Sequence, residues 1–227
     1  MIKNVMTKMI TSMVAVGLLL GACAEKGAEE AATDSHSGAH ENTAYTDVTE
    51  VKGLKTPASF AAITDDNARA AALFEEMSKV LLHPRCSNCH PRYGGPTQGD
   101  NMEPHEPPVI RGAGLGAEAM GCDTCHGKEN VAFASMEGSI PGAEPWLLAP
   151  ESMGWAGASP AELCVQIKDE SLNGGRTLED LVEHNTQDHL VNWAWNPGEG
   201  RSPAPGEQAL FGALTSAWVD AGAHCPA

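Results

Sequence analysis

The sequence predicts a mainly α-helical domain that is interrupted by long loops. Apolar residues recur at spacings of three and four in several segments, and helix-capping signals flank some of them. No segment shows a persuasive strand-like alternation of apolar and polar residues. Between about residue 91 and residue 158 the chain is rich in glycine and proline and has little periodicity, which predicts irregular structure there.

The first helix is expected from Thr64 to about Leu82, with its apolar positions on one face. The second follows the capping box Ser159-Pro160-Ala161-Glu162, which places proline at the first helical position. A short helix is expected to begin at Thr177 and to run through His184.

Residues 188–195 are expected to continue this helix after a break. The last helix is predicted over about 206–221, with Gly222 as its stop signal.

One five-residue pattern occurs twice in the chain. Its copies are Cys86-Ser87-Asn88-Cys89-His90 and Cys122-Asp123-Thr124-Cys125-His126. Cys-x-x-Cys-His is the attachment site of a c-type haem: the two sulfurs of Cys86 and Cys89, or of Cys122 and Cys125, bond to one porphyrin. The adjacent histidine, His90 or His126, then ligates the iron. The pattern predicts two haem c groups in an irregular cytochrome-c-like domain, where haem replaces side chains as core material.

Two other uses of these cysteines are open at this point. Two Cys-x-x-Cys pairs could supply the four ligands of a structural zinc site, although this does not explain the histidine after each pair. A thioredoxin-like dithiol would need a βαβ context, which surrounds neither motif. The N-terminus favours haem, because c-type haem is attached outside the cytoplasm.

Residues 1–22 are predicted to be a lipoprotein signal peptide. Lys3 and Lys8 form a basic region, an apolar run follows that is too short to span a bilayer, and Leu20-Gly21-Ala22-Cys23 resembles a bacterial lipobox. We expect Cys23 to carry lipid, the alternative being cleavage nearby with an unmodified thiol. Since Asp does not follow Cys23, the expected location is the periplasmic face of the outer membrane.

Residues 23–55 are expected to form an acidic flexible tether, because they contain almost no large apolar side chains. The dihaem domain is assigned to residues 56–227. Of the seven cysteines, lipid and haem account for five. The remaining Cys164 and Cys225 are predicted to form a disulfide in an oxidising compartment, the alternative being two buried thiols.

Each iron can take a sixth ligand from the chain. The candidates are ranked with His105 and His184 first, and with Met153 and His83 next. His105 lies in a proline-rich loop, and His184 ends a short helix. His83 is too close to Cys86 to fold over its own haem, so it would serve the other one. Four arginines are candidates to pair with haem propionates, which are costly to bury unpaired: Arg85, Arg92, Arg111 and Arg201.

The net charge of −16 makes nucleic acid an unsuitable partner and suits docking to a basic redox protein. From about residue 80 onward the chain resembles a family of periplasmic dihaem cytochromes c known as isoquinoline 1-oxidoreductase subunits. The resemblance lies in His83-Pro84-Arg85 with the first motif and Pro91, Gln98-Gly99-Asp100, His105, Arg111-Gly112, the second motif, Pro141-Gly142-Ala143, Trp146, Leu148-Ala149-Pro150, Met153, Trp155, Lys168-Asp169, Asn173-Gly174-Gly175-Arg176, Glu183-His184, Leu190-Val191, Trp193-Ala194-Trp195, Pro197-Gly198, residues 203–206, Gly222-Ala223 and Cys225-Pro226.

The resemblance implies electron transfer in association with a periplasmic molybdenum hydroxylase, while nothing in the chain itself would bind molybdopterin. Two hypotheses about function follow. In the first, the protein is a non-catalytic carrier that relays single electrons between a dehydrogenase and another cytochrome. In the second, it is a small dihaem enzyme, such as a peroxidase, with one open iron. Histidines and methionines near both motifs favour the carrier.

Overall fold

The structure, a computed structural model, describes residues 45–227. This part of the chain is mainly helical with small sheets, as the sequence predicts. Its α-helices are α1 (Asp66–Leu81), α2 (Pro84–Ser87), α3 (Pro160–Lys168), α4 (Leu178–Gln187), α5 (His189–Asn192) and α6 (Gln208–Asp220). Single turns of 3₁₀ helix occupy Pro57–Phe60, Cys122–Thr124, Glu151–Met153 and Trp193–Trp195.

Four antiparallel hairpins, each with two residues per strand, supply the strands. They pair β1 (Glu50–Val51) with β2 (Leu54–Lys55), β3 (Thr97–Gln98) with β4 (Glu103–Pro104), β5 (Gly116–Ala117) with β6 (Met120–Gly121), and β7 (Val131–Ala132) with β8 (Ser139–Ile140). Strands this short carry too few residues for an alternating pattern to be visible in the sequence.

The core forms where α1, α3, α4 and α6 meet. α1 buries Leu73, Phe74, Met77 and neighbouring apolar residues, and the Phe74 ring lies 5.2 Å from that of Trp218 on α6. Because the apolar residues of α1 recur every three or four positions, they share the face that packs on α6.

Capping side chains explain why the helices begin where they do. The predicted capping box of α3 is present, and Thr177 forms a second one with Asp180 at the start of α4. α1 begins after Asp65 rather than at Thr64, because the Asp65 carboxylate accepts the Ala68 N–H at 2.8 Å. α4 also runs one turn beyond His184, to Gln187.

The folded domain begins before residue 56, which corrects the predicted boundary of the tether. The hairpin β1–β2 precedes that residue, and Leu54 within it is fully buried. The Tyr45 hydroxyl donates to Glu207. These residues lack a long apolar run, so the sequence did not reveal that one leucine anchors them. The predictions for the signal peptide, the Cys23 lipid site and the tether up to residue 44 lie outside the described residues.

The C-terminus is tied to α3 by a disulfide between Cys164 and Cys225, as expected from the cysteine count. The two cysteines are 61 residues apart along the chain. No helix within residues 45–227 has the length and apolar character needed to cross a bilayer.

Candidate functional site

The first Cys-x-x-Cys-His motif forms one turn of helix. Pro84 begins α2, and the backbone N–H groups of Cys89 and His90 both donate to the Cys86 carbonyl at 3.0 Å. A single turn brings the two cysteines close together and carries His90 out at its end. The backbone therefore has the local shape that the haem-attachment pattern predicts.

The second motif repeats this turn on a 3₁₀ helix. The Cys125 N–H donates to the Cys122 carbonyl at 3.2 Å, and the His126 N–H donates to the same carbonyl at 3.0 Å. Gly116 allows the preceding chain to pass this turn, because a Cβ there would lie 3.3 Å from the Cys122 sulfur and φ is +85°. The two motifs thus share one backbone hydrogen-bond scheme.

His90 is held by the loop that leads into α3. Its Nδ1 lies 2.9 Å from the Met153 carbonyl, and its ring stacks on Trp155 with centroids 3.4 Å apart. Since a carbonyl only accepts, Nδ1 carries the proton. Burial lowers the pKa of His90 to about 3, although the hydrogen bond that His90 donates to the Met153 carbonyl acts in the opposite direction. The ring is therefore neutral at pH 7, and Nε2 has a free lone pair for a metal.

His126 is held in the same way by a different loop. Its Nδ1 lies 2.8 Å from the Pro141 carbonyl, and its ring stacks on Trp146 at 4.7 Å. Burial lowers the pKa of His126. Asn130 holds the peptide group between Pro141 and Gly142, since its Oδ1 accepts the Gly142 N–H at 3.0 Å. Nε2 of His126 is therefore left with a free lone pair.

The structure brings His105 to the second motif. The His105 and His126 rings have centroids 6.0 Å apart and an interplanar angle of 70°. An imidazole nitrogen binds a metal at about 2 Å, so two imidazoles on opposite sides of one ion have ring centres about 6 Å apart. Nδ1 of His105 lies 2.9 Å from the Pro107 carbonyl, which again leaves Nε2 free.

His184 lies in the electrostatic surroundings of the first motif. Burial causes most of the lowering of the His90 pKa, and a positive charge on His184 adds to it. Nδ1 of His184 lies 3.2 Å from the Asp188 carboxylate, one turn later in α4. Burial lowers the pKa of His184. This ring also keeps Nε2 for a metal.

The other two candidate ligands have different roles. His83 caps α2, and its Nδ1 accepts the Arg85 N–H at 3.2 Å. A neutral His83 then carries its proton on Nε2, which is the wrong tautomer for binding through that nitrogen. Met153 contributes its carbonyl to His90, while its side chain lies in the hydrophobic core.

Three of the four motif cysteines are partly buried, and Cys125 is exposed. Burial raises the pKa of Cys86 to about 12 and that of Cys89 to about 11, and it also raises the pKa of Cys122. A reactive dithiol needs a lowered pKa instead. Charge on Cys122 contributes to the raised pKa of Cys89, so the two motifs are neighbours.

Zinc requires four side chains that converge on one point. Over residues 45–227 no three side chains among His, Cys, Asp and Glu are grouped closely enough to hold a metal ion. Haem c has a different requirement: two cysteine sulfurs and one histidine per motif. Both motifs present this set on one turn, the His105 ring lies 6.0 Å from that of His126, and a cavity of about 770 Å³ lies beside His126 and Trp146.

Sequence reasoning missed the residues that orient the two histidines. The Met153 and Pro141 carbonyls each precede a glycine, and both glycines stand where a side chain would clash with backbone. A Cβ at Gly154 would lie 2.8 Å from Arg92 Cα, and one at Gly142 would lie 2.2 Å from the Glu129 carbonyl oxygen. A glycine shortly before a tryptophan was the available signal, because Trp155 and Trp146 follow these glycines.

Comparison with known proteins gives no match for this chain, whether to a protein-family model, to a curated protein or to a solved structure.

Proposed function

We propose that this protein is a dihaem c-type cytochrome that carries single electrons. The observation that carries the proposal is the shared arrangement of the two motifs. In each, one helical turn presents two cysteines and a histidine, a loop carbonyl holds Nδ1, and a tryptophan stacks on the ring. A duplicated scheme of this kind serves two equivalent cofactors better than one zinc ion or one dithiol.

At each proposed haem site, different residues of the chain ligate the iron and shield its histidine ligands from water. Haem, when attached, supplies the reversible one-electron change of its iron. His90 and His126 are the proximal ligands in this proposal, with His184 and His105 respectively as the sixth ligands. Two histidines give a lower reduction potential than histidine with methionine. Trp155 and Trp146 keep water from the histidine rings by stacking on them.

The proposed cellular role is electron relay in the periplasm, from a lipid anchor at Cys23. The acidic chain suits a basic redox partner. The family resemblance makes a molybdenum hydroxylase of the isoquinoline 1-oxidoreductase type the proposed electron donor. The carrier needs two occupied iron sites, whereas a peroxidase-like enzyme needs one open iron, and the second histidine near each motif favours the carrier.

Export of the full chain in a strain that matures c-type cytochromes tests this function. We expect a red protein whose mass includes two haem additions, and whose spectrum does not change rapidly under carbon monoxide. The double variants Cys86→Ala/Cys89→Ala and Cys122→Ala/Cys125→Ala should each lose one haem addition. A colourless wild-type protein without added mass would refute the proposal, and rapid carbon monoxide binding by the wild type would favour the enzyme.

A further inference from the structure

Arg85 is a buried cation with unused hydrogen-bond donors. Its side chain has no exposed surface, and Nη2 donates to the Gly99 carbonyl at 2.8 Å and to Asp100 at 2.7 Å. The other two donor atoms of the fork, Nε and Nη1, have no partner. Buried polar groups are nearly always hydrogen-bonded, so these two nitrogens point to an acceptor that the protein chain does not supply.

The surroundings of Arg85 favour an anionic acceptor. Asp100 connects Arg85 to the segment that carries Arg201, because it accepts from Arg85 Nη2 and from the N–H and hydroxyl of Ser202. Burial lowers the pKa of Arg201, and the Arg85 charge adds to this effect. Asp100 is the carboxylate whose charge opposes both, and it is itself partly exposed. Arg201 donates to neutral oxygens of Ser139 and Pro197. Asp100 is thus one carboxylate beside two guanidinium groups, which leaves an excess of positive charge.

The position of Arg85 relates it to both motifs. It directly precedes Cys86, and its charge acts on Cys86 and Cys89. The Arg85 guanidinium lies 5.9 Å from the centre of the Trp193 ring. The Trp193 ring lies 5.0 Å from that of Trp146, which stacks on His126 of the second motif. Arg85 therefore adjoins the first motif and is connected to the second through two tryptophans.

We propose that the unpartnered donors of Arg85, Nε and Nη1, hydrogen-bond haem propionate oxygens. A hydrogen bond between a guanidinium and a carboxylate is stronger than one between neutral groups and compensates the burial of both charges. Nη2 is already bonded to Gly99 and Asp100, and Nε and Nη1 lie on different edges of the planar guanidinium, so each free donor binds a propionate oxygen separately. The inference rests on the proposed function, and the propionate could belong to the porphyrin at either motif.

Three arginine variants of the full, exported protein test this site. Arg85→Gln removes the charge and the fork, Arg85→Lys keeps only the charge, and the control Arg92→Gln removes an exposed charge close to the same motif. We expect Arg85→Gln to shift the propionate bending band in the resonance Raman spectrum and to lower one reduction potential. Arg85→Lys should shift the band with a smaller change of potential. Arg92→Gln should leave the band unchanged.

The same Raman measurement on single-haem proteins identifies the source of the carboxylate. A shift caused by Arg85→Gln that persists in the Cys122→Ala/Cys125→Ala background assigns the propionate to the first haem. A shift that persists only in the Cys86→Ala/Cys89→Ala background assigns it to the second.

Two further outcomes separate the inference from the function. If Arg85→Gln does not mature, Arg85→Lys carries the Raman test alone. An unchanged band and unchanged potentials in an Arg85 variant that keeps both haems would overturn the propionate site. A wild-type protein without haem would overturn the proposed function instead.

Discussion

Four histidines in this protein share one hydrogen-bonding rule. In His90, His126 and His105, Nδ1 contacts a backbone carbonyl, and in His184 it contacts a carboxylate. Each acceptor forces the proton onto Nδ1 and so leaves Nε2 as a ligand nitrogen. His83 breaks the rule because its Nδ1 accepts a hydrogen bond. The tautomer therefore separates the proposed iron ligands from a helix cap.

Removing a proposed sixth ligand should open one iron. We expect His184→Ala and His105→Ala each to bind carbon monoxide at one haem, because the histidine that blocked the site is gone. The reduced absorption spectrum with and without carbon monoxide measures this. His189→Ala is the matched control, since His189 is exposed on α5. A His184→Ala protein that behaves like the control would exclude His184 as a ligand.

Part of the site could be predicted from sequence because it is local. The motif cysteines and histidines lie within five residues of each other, and the α3 capping box lies within four. The Met153 carbonyl, by contrast, reaches His90 across 63 residues, and the Pro141 carbonyl reaches His126 across 15. A backbone carbonyl carries no residue-type signal, so the sequence did not identify these partners.

At the scale of elements, helices were predictable and loop contacts were not. The α1 and α6 periodicities predicted both helices to within about two residues at each end, which is the ordinary uncertainty of helix boundaries. The long irregular stretch between α2 and α3 is organised by close approaches of backbone to backbone. The sequence shows the glycines that allow them, but not the segments they approach.

Gly154 lets the loop before α3 lie against the chain that follows His90. Alanine at this position should destabilise the protein by about 1–3 kcal/mol, because the added Cβ meets backbone atoms and the segment must shift. Urea unfolding of the haem-loaded protein measures the change. Gly127→Ala is the control, since a Cβ at Gly127, directly after His126, has no atom within 4 Å. Equal stabilities of the two variants would contradict this packing.

The disulfide between α3 and the C-terminus should contribute to stability without serving the haem sites. Closing a loop of 61 residues is worth about 4 kcal/mol in the chain-entropy model. We expect Cys164→Ala/Cys225→Ala to lower the free energy of unfolding by about that amount while both haems remain attached. Haem content and urea unfolding measure the two effects. Loss of a haem from this variant would show that the disulfide supports a motif directly.

At the scale of the whole molecule, acidic residues outnumber basic ones by 30 to 14. Three of them, Glu118, Asp123 and Glu144, line the cavity beside His126, while Lys128 on the same rim is paired with Glu144. Glu118 and Asp123 therefore leave this opening with a net negative charge, which attracts partners of positive charge. The surroundings of the proposed second haem thus suit a basic partner.

Electron transfer to a basic c-type cytochrome should depend strongly on salt. We expect the second-order rate constant to fall by about tenfold or more between low and high ionic strength, because steering by exposed charges is screened. Stopped-flow mixing of the reduced protein with an oxidised basic partner measures it. An acidic partner is the control for the sign of the effect.

Variants of the acidic residues that line the cavity beside His126, here called the rim, show where on the molecule the electrostatic steering arises. Glu118→Gln/Asp123→Asn should slow the reaction at low salt and leave the high-salt rate unchanged, because only the attraction between the partners is weakened. The matched control Glu170→Gln/Glu179→Gln removes the same charge from exposed positions away from the rim. Equal slowing by both pairs would assign steering to net charge, and a rate independent of salt would exclude an acidic docking surface.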